Sequence, residues 1–216
     1  GVVPGPTLKA EVGDRIKIIM KNELPESTSL HLHGVRVPNN LDGVDPYTQP
    51  VIKPGEEMVY EFDALEPAVG MYHSHHDEMV QIALGLMGMI VVHPQRPAAP
   101  PPDRDYVYML SEWAIRPGLR RPDPNEMTDF NVLTFNGRAF PGTSPMVARR
   151  GERVRIRIGN LSPMDHHPIH LHGHHFDVVA TDGGEIPPAG RWPETTVLVP
   201  TGSVRVVELV ADNPGD

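Results

Sequence analysis

Apolar and polar positions alternate along much of this chain. From Arg153 to Ile158, Val154, Ile156 and Ile158 are interleaved with three arginines, and Arg15 to Met20 does much the same. A period of two predicts a strand with one buried and one wet face. Further short strands are predicted at Met58 to Phe62, Met89 to Val92, Tyr106 to Leu110 and Val204 to Val210, each set between Gly/Pro turns. No segment of helical length combines caps with a 3.6-residue apolar period.

The chain also repeats itself. VVPGPTLKAEVGDRIKIIMKN followed by LHLHG returns as AFPGTSPMVARRGERVRIRIGN followed by IHLHG. Gly13 matches Gly151 and Asn22 matches Asn160 at an offset of 138, whereas His31-Leu32-His33-Gly34 matches His170-Leu171-His172-Gly173 at 139. Two copies of one unit therefore follow each other, and two antiparallel β-sandwiches are the expected all-β architecture. The proline-rich stretch PQRPAAPPPDRD marks the boundary. The expected division is a first domain at 1–97, a stiff extended linker at 98–105 and a second domain at 106–216.

The 25 prolines and 20 glycines among 216 residues agree with many turns and few helices. A formal net charge of -9 gives no reason to expect a nucleic-acid partner. No apolar run approaches the roughly 18 residues of a membrane span, so no membrane partner is expected. The chain starts at Gly1 with no signal-peptide pattern before it. With no cysteine, disulfides and thiolate metal sites are excluded within these residues.

Of 12 histidines, all but His93 fall in three clusters. These are His31 and His33; His73, His75 and His76; and His166, His167, His170, His172, His174 and His175. A His-x-His pair on a strand puts both imidazoles on one face, and such a pair occurs at 31/33, 73/75 and 170/172. Neutral imidazoles ligate Cu, Zn, Ni and Fe, with Cu(II) leading the affinity order. Six imidazoles exceed the needs of one zinc, so a multinuclear site is implied. His76, His93, His166, His174 and His175 read better as surface or turn residues. Met79, Met87 and Met89 read better as core filling than as Cu(I) ligands.

At these residues the sequence resembles the multicopper oxidases, the laccases and their relatives. Three of that family's four copper motifs are present: His31-Leu32-His33-Gly34, Met71-Tyr72-His73-Ser74-His75, and His167-Pro168-Ile169-His170-Leu171-His172-Gly173-His174. The fourth, His-Cys-His, is absent, and the resemblance implies a chain cut just before it. The fold implied is two tandem cupredoxin-like Greek-key β-sandwiches, the second incomplete at its C-terminus. The resemblance gives His31 and His170 to a type 2 copper and His33, His73, His75 and His172 to type 3 coppers, together a trinuclear cluster. His167 becomes one ligand of a type 1 copper in the second domain, completed by residues past the chain end. Ser74 stands where a type 1 cysteine of the first domain would be. Asp42, in an Asp-Gly pair that also suits an ordinary turn, resembles the acid that feeds protons to dioxygen.

Too few residues separate the second and third motifs for a further domain, so the resemblance is to two-domain members. It implies a homotrimer with copper clusters between subunits, and a secreted or periplasmic setting. The activity implied is one-electron oxidation of a phenol, aromatic amine or metal ion coupled to reduction of dioxygen to water. By itself the 216-residue chain is expected not to turn over. A copper-resistance or copper-binding protein with little catalysis is the alternative. A copper nitrite reductase is disfavoured by the paired His-x-His motifs and by Ser74.

Overall fold

The computed structural model describes residues 2–97 and 99–215. The first half contains β1 (Leu8–Glu11), β2 (Arg15–Lys21), β3 (His31–His33), β4 (Glu57–Asp63), β5 (Ala68–His73), a helix α1 (Glu78–Ala83) and β6 (Met87–His93). The second contains β7 (Arg104–Trp113), β8 (Val132–Phe135), β9 (Arg153–Asn160), β10 (His167–His170), β11 (Phe176–Thr181), β12 (Gly184–Glu185), β13 (Trp192–Glu194), β14 (Thr196–Val199) and β15 (Val204–Val210). Every predicted strand is present. The six-residue helix α1 was not foreseen, being too short to show a helical period.

Each half is a sandwich. In the first, the sheet β1-β6-β5-β3 faces the β2-β4 ribbon. Leu32, Tyr60, Phe62 and Ile90 fill the space between them, with Ile16 and Ile18 packed against this core. In the second, the sheet β12-β11-β15-β9-β7-β8 faces the β10-β14 ribbon over Leu110, Ile156, Val178, Val199 and Val207. Each large sheet contains one parallel pair, β1 with β6 and β7 with β9.

The repeat carries a shared bracket. Asn22 Nδ2 donates to the carbonyls of Glu26 and Ile52, at 2.8 Å each, and Leu24 N–H donates to Asn22 Oδ1. Asn160 Nδ2 donates to Asp165 and Val199 at 2.9 and 3.0 Å, and Ser162 N–H donates to Asn160 Oδ1. Both amides are buried with every bond satisfied.

The halves meet along a methionine seam. Met71, Met87 and Met89 pack against Met109, Trp113, Leu161, Val179, Val204 and Val206. Met87 and Met89 are core residues as expected, but Met79 is 63% exposed on α1. Gly159 lies so close to the seam that a Cβ there would come within 2.5 Å of Met89 Sδ.

The second face of β9 is not wet. Arg157 is 5% exposed and grips both carboxylate oxygens of Asp105 at 2.9 Å, and Arg155 pairs with Glu208. Val92, His93 and Ala68 of the first half cover this face, so charge pairing replaces hydration there.

Ala98 of the expected linker lies outside the described residues, as do Gly1 and Asp216 at the ends of the two expected domains. Strand β7 begins at Arg104, inside the expected linker. Pro100 and Asp103 accept hydrogen bonds from Arg153, which anchors this stretch to the second half. No helix among the described residues is long and apolar enough to cross a membrane.

Candidate metal centre

Strand β3 buries Leu32 in the core and turns His31 and His33 to the opposite side. Antiparallel pairing with β5 sets His73 directly across from His31. One ring nitrogen from each of His31, His33 and His73 falls within 4.8 Å of the others, and His33 Nδ1 lies 3.4 Å from His73 Nε2. His75 joins this group with its ring centroid 5.4 Å from that of His31. Its strand has ended at His73, so alternation does not place it. Instead the backbone N–H of His75 donates to Ser29 Oγ at 3.1 Å.

His170 and His172 form a second set, their ring centroids 4.9 Å apart. Here too the strand stops at the first histidine, and His172 arrives through a turn. Among the described residues, ring contacts group the four first-half imidazoles with one another and His170 with His172, and none joins the two sets. His167, on β10 with His170, makes no ring contact with either set among the described residues. His167 and His170 both line a cavity of about 580 Å³ whose walls include Tyr108, Phe135, Ile156, Phe176 and Val197.

The donor set suits copper. His31, His73 and His170 each donate Nδ1–H to a backbone carbonyl, of Asp42 at 2.6 Å, Ser74 at 2.8 Å and Thr195 at 2.7 Å. Such bonds fix the tautomer and leave Nε2 as the ligand atom. Burial holds the His73 imidazole down at about 4, with His31, His33 and His75 adding to the effect. Burial first, and then His31, lowers His33 as well. At neutral pH both rings are uncharged, as ligation requires.

Asp42 is placed by Gly43, whose φ of +85° and a would-be Cβ 1.9 Å from the Leu30 carbonyl admit only glycine. The turn therefore presses Asp42 against β3, with Oδ1 3.6 Å from His31 Nδ1.

Three of the five histidines set aside earlier have other partners. His76 Nδ1 lies 3.1 Å from Asp45 Oδ2, His166 Nδ1 accepts from Thr201 N–H, and His174 Nε2 accepts from Asn213 N–H. His93 is lowered by burial and then by Arg157 at the seam between halves.

Sequence reasoning missed the polar residues behind the ligands. Gln81, on α1 and 1% exposed, accepts from Thr28 Oγ1 at 2.7 Å and Ser74 Oγ at 2.6 Å, and donates to the Ser27 carbonyl. It thereby ties the approach to His31 to the segment between His73 and His75. The repeat offers one clue, because an offset of 139 aligns Thr28 with His167.

Profiles of the multicopper oxidase family match residues 1–97 and 116–216. The blue copper oxidase of Nitrosomonas europaea superposes with a TM-score of 0.88 at 31% identity, covering 100% of this chain and 69% of that one. The copper nitrite reductase of the same organism gives a TM-score of 0.82 at 28% identity, covering 100% and 76%. Copper resistance protein A of Escherichia coli is 28% identical over 236 residues, 87% of this chain and 39% of that protein. The chain spans between 21% and 42% of the length of the curated relatives it matches. Two family profiles and a blue copper oxidase of the same fold agree with the imidazole geometry: the chain belongs to the multicopper oxidases, a copper-binding family built from cupredoxin-like β-sandwiches.

Proposed function

We propose that this chain carries the copper half-sites of an oxidase that takes single electrons from a small reducing substrate and delivers four of them to dioxygen, giving two waters. The observation that carries the reading is the convergence of His31, His33 and His73 within 4.8 Å, each on a strand that cannot rotate away. Bound copper supplies the one-electron redox steps and the affinity for dioxygen.

The chain's own residues position and protonate. His31, His33, His73 and His75 form one half-site for a trinuclear cluster, and His170 and His172 the other. Since the two sets are separate within one chain, a second copy brings His170 and His172 to the first-half group. A closed ring of three copies satisfies this geometry with every interface alike. Asp42, beside His31, relays protons to the oxygen site. His167 is one ligand of the copper that receives electrons. Phenols, aromatic amines and reduced metal ions are the substrate classes.

The test takes the protein as its gene encodes it, loaded with copper. Expected results are a species of three chain masses in sedimentation, oxygen uptake with a phenol, and loss of the cluster copper in His31→Ala and His73→Ala. A monomer that keeps its copper in both variants would defeat the proposal. The likeness to copper resistance protein A favours a second reading, copper binding without turnover. Copper uptake with no oxygen consumption by any reductant would establish that one instead.

A further inference from the structure

The two halves share the asparagine bracket but differ in two side chains along the segment that follows it. In the first half these are Leu24 and Thr28. At the matching positions the second half has Ser162, offset by 138, and His167, offset by 139. The structure brings the second pair into contact: Ser162 Oγ lies 2.7 Å from His167 Nε2. Ser162 is buried, and its backbone is fixed by Asn160 Oδ1.

Behind the same nitrogen stands Glu112, at the end of β7. Its side chain is fully buried. One oxygen accepts the Asp165 N–H at 3.1 Å. The other, Oε2, has no hydrogen-bond partner among the described residues and sits 3.7 Å from His167 Nε2. A buried carboxylate oxygen with no donor is costly unless a polarised N–H faces it. An imidazole N–H at Nε2 donates to Ser162 Oγ and turns its positive end toward Glu112 Oε2, an electrostatic contact at 3.7 Å rather than a hydrogen bond. A lone pair at Nε2 would instead point at the carboxylate and be repelled.

We propose that Glu112 and Ser162 are positioning residues that keep the proton of His167 on Nε2, so that Nδ1 offers its lone pair to the metal. This rests on the reading of His167 as a copper ligand. The carbonyls behind His31, His73 and His170 enforce the opposite tautomer, with the proton on Nδ1. The chain thus carries two kinds of ligand imidazole, distinguished by what lies behind each ring.

The test is made without metal. Long-range ¹⁵N–¹H correlation spectra of the metal-free, histidine-labelled protein report the tautomer of each ring. His167 is expected with its proton on Nε2. That preference should be lost in Ser162→Ala and in Glu112→Met, and kept in Ser162→Thr, which restores the hydroxyl. A wild-type His167 protonated on Nδ1 overturns the proposal even if no variant folds. A preference for Nε2 that survives both Ser162→Ala and Glu112→Met overturns it equally. The readout needs no copper, so an oxidase reading that failed on copper binding would be recognised separately.

Discussion

Replacing Gln81 by leucine keeps the volume of the side chain and removes three buried hydrogen bonds, two accepted by Oε1 and one donated by Nε2. Ser74 Oγ retains the His76 carbonyl as an acceptor at 3.0 Å. The Thr28 hydroxyl keeps only the long contacts to Ser74 Oγ at 3.3 Å and the Ser29 carbonyl at 3.4 Å, and the carbonyl of half-buried Ser27 loses its side-chain donor. At about 1–3 kcal/mol for each buried orphan, the loss is roughly 2–6 kcal/mol, a large part of the stability of a domain this size. The same reasoning predicts a partial rescue. Adding Thr28→Val to Gln81→Leu removes one orphan together with its desolvation cost, and should return about 1 kcal/mol or more. Urea unfolding of the metal-free protein measures both steps. A loss below about 1 kcal/mol for Gln81→Leu, or a double variant weaker than the single one, would show that the cluster is not the tie between ligand segments derived from the distances.

Two further outcomes follow from the site. The His73 imidazole sits near 4 in the folded chain against an ordinary 6.5, so the unfolded chain gains a proton first as the pH falls. Metal-free stability should therefore decline between about pH 6.5 and pH 4, by about 3 kcal/mol for this residue (2.5 units at 1.36 kcal/mol each). An NMR titration showing His73 protonating near 6.5 in the folded protein would contradict this. Gly43→Ala forces a left-handed φ on alanine and drives its Cβ into the Leu30 carbonyl. It should cost about 2 kcal/mol or more and move the Asp42 turn off His31. A thermal midpoint within a degree of wild type would refute that close approach.

Much of this was legible in the residues because strands and pairs write themselves in a period of two. Val154, Ile156 and Ile158 gave away β9, and the return of His-Leu-His-Gly gave away the duplicated sandwich. The same period misled at the arginines between them. Alternation reports which face differs, not what covers it, and the first half covers Arg155 and Arg157. It was also the wrong cause for His75 and His172. Both follow a strand end, and their rings are delivered by turns whose geometry depends on Ser29 and on residues distant in sequence. Glu112, Ser162 and Gln81 were invisible for a related reason. Each is a single polar residue in an ordinary context, and only the tertiary fold sets its oxygen beside an imidazole or a hydroxyl. The asparagine repeat at 22 and 160 was visible as a match, but its role as a loop bracket needed the carbonyls it binds.

The methionine seam has a consequence for how such a protein ages. Met71, Met87, Met89 and Met109 pack where the halves meet among apolar neighbours. Conversion of one thioether to a sulfoxide would plant a polar oxygen there with few donors to meet it. Peroxide would therefore loosen the joint between the halves before either sandwich came apart, so the damage would register first as slippage between two intact bodies.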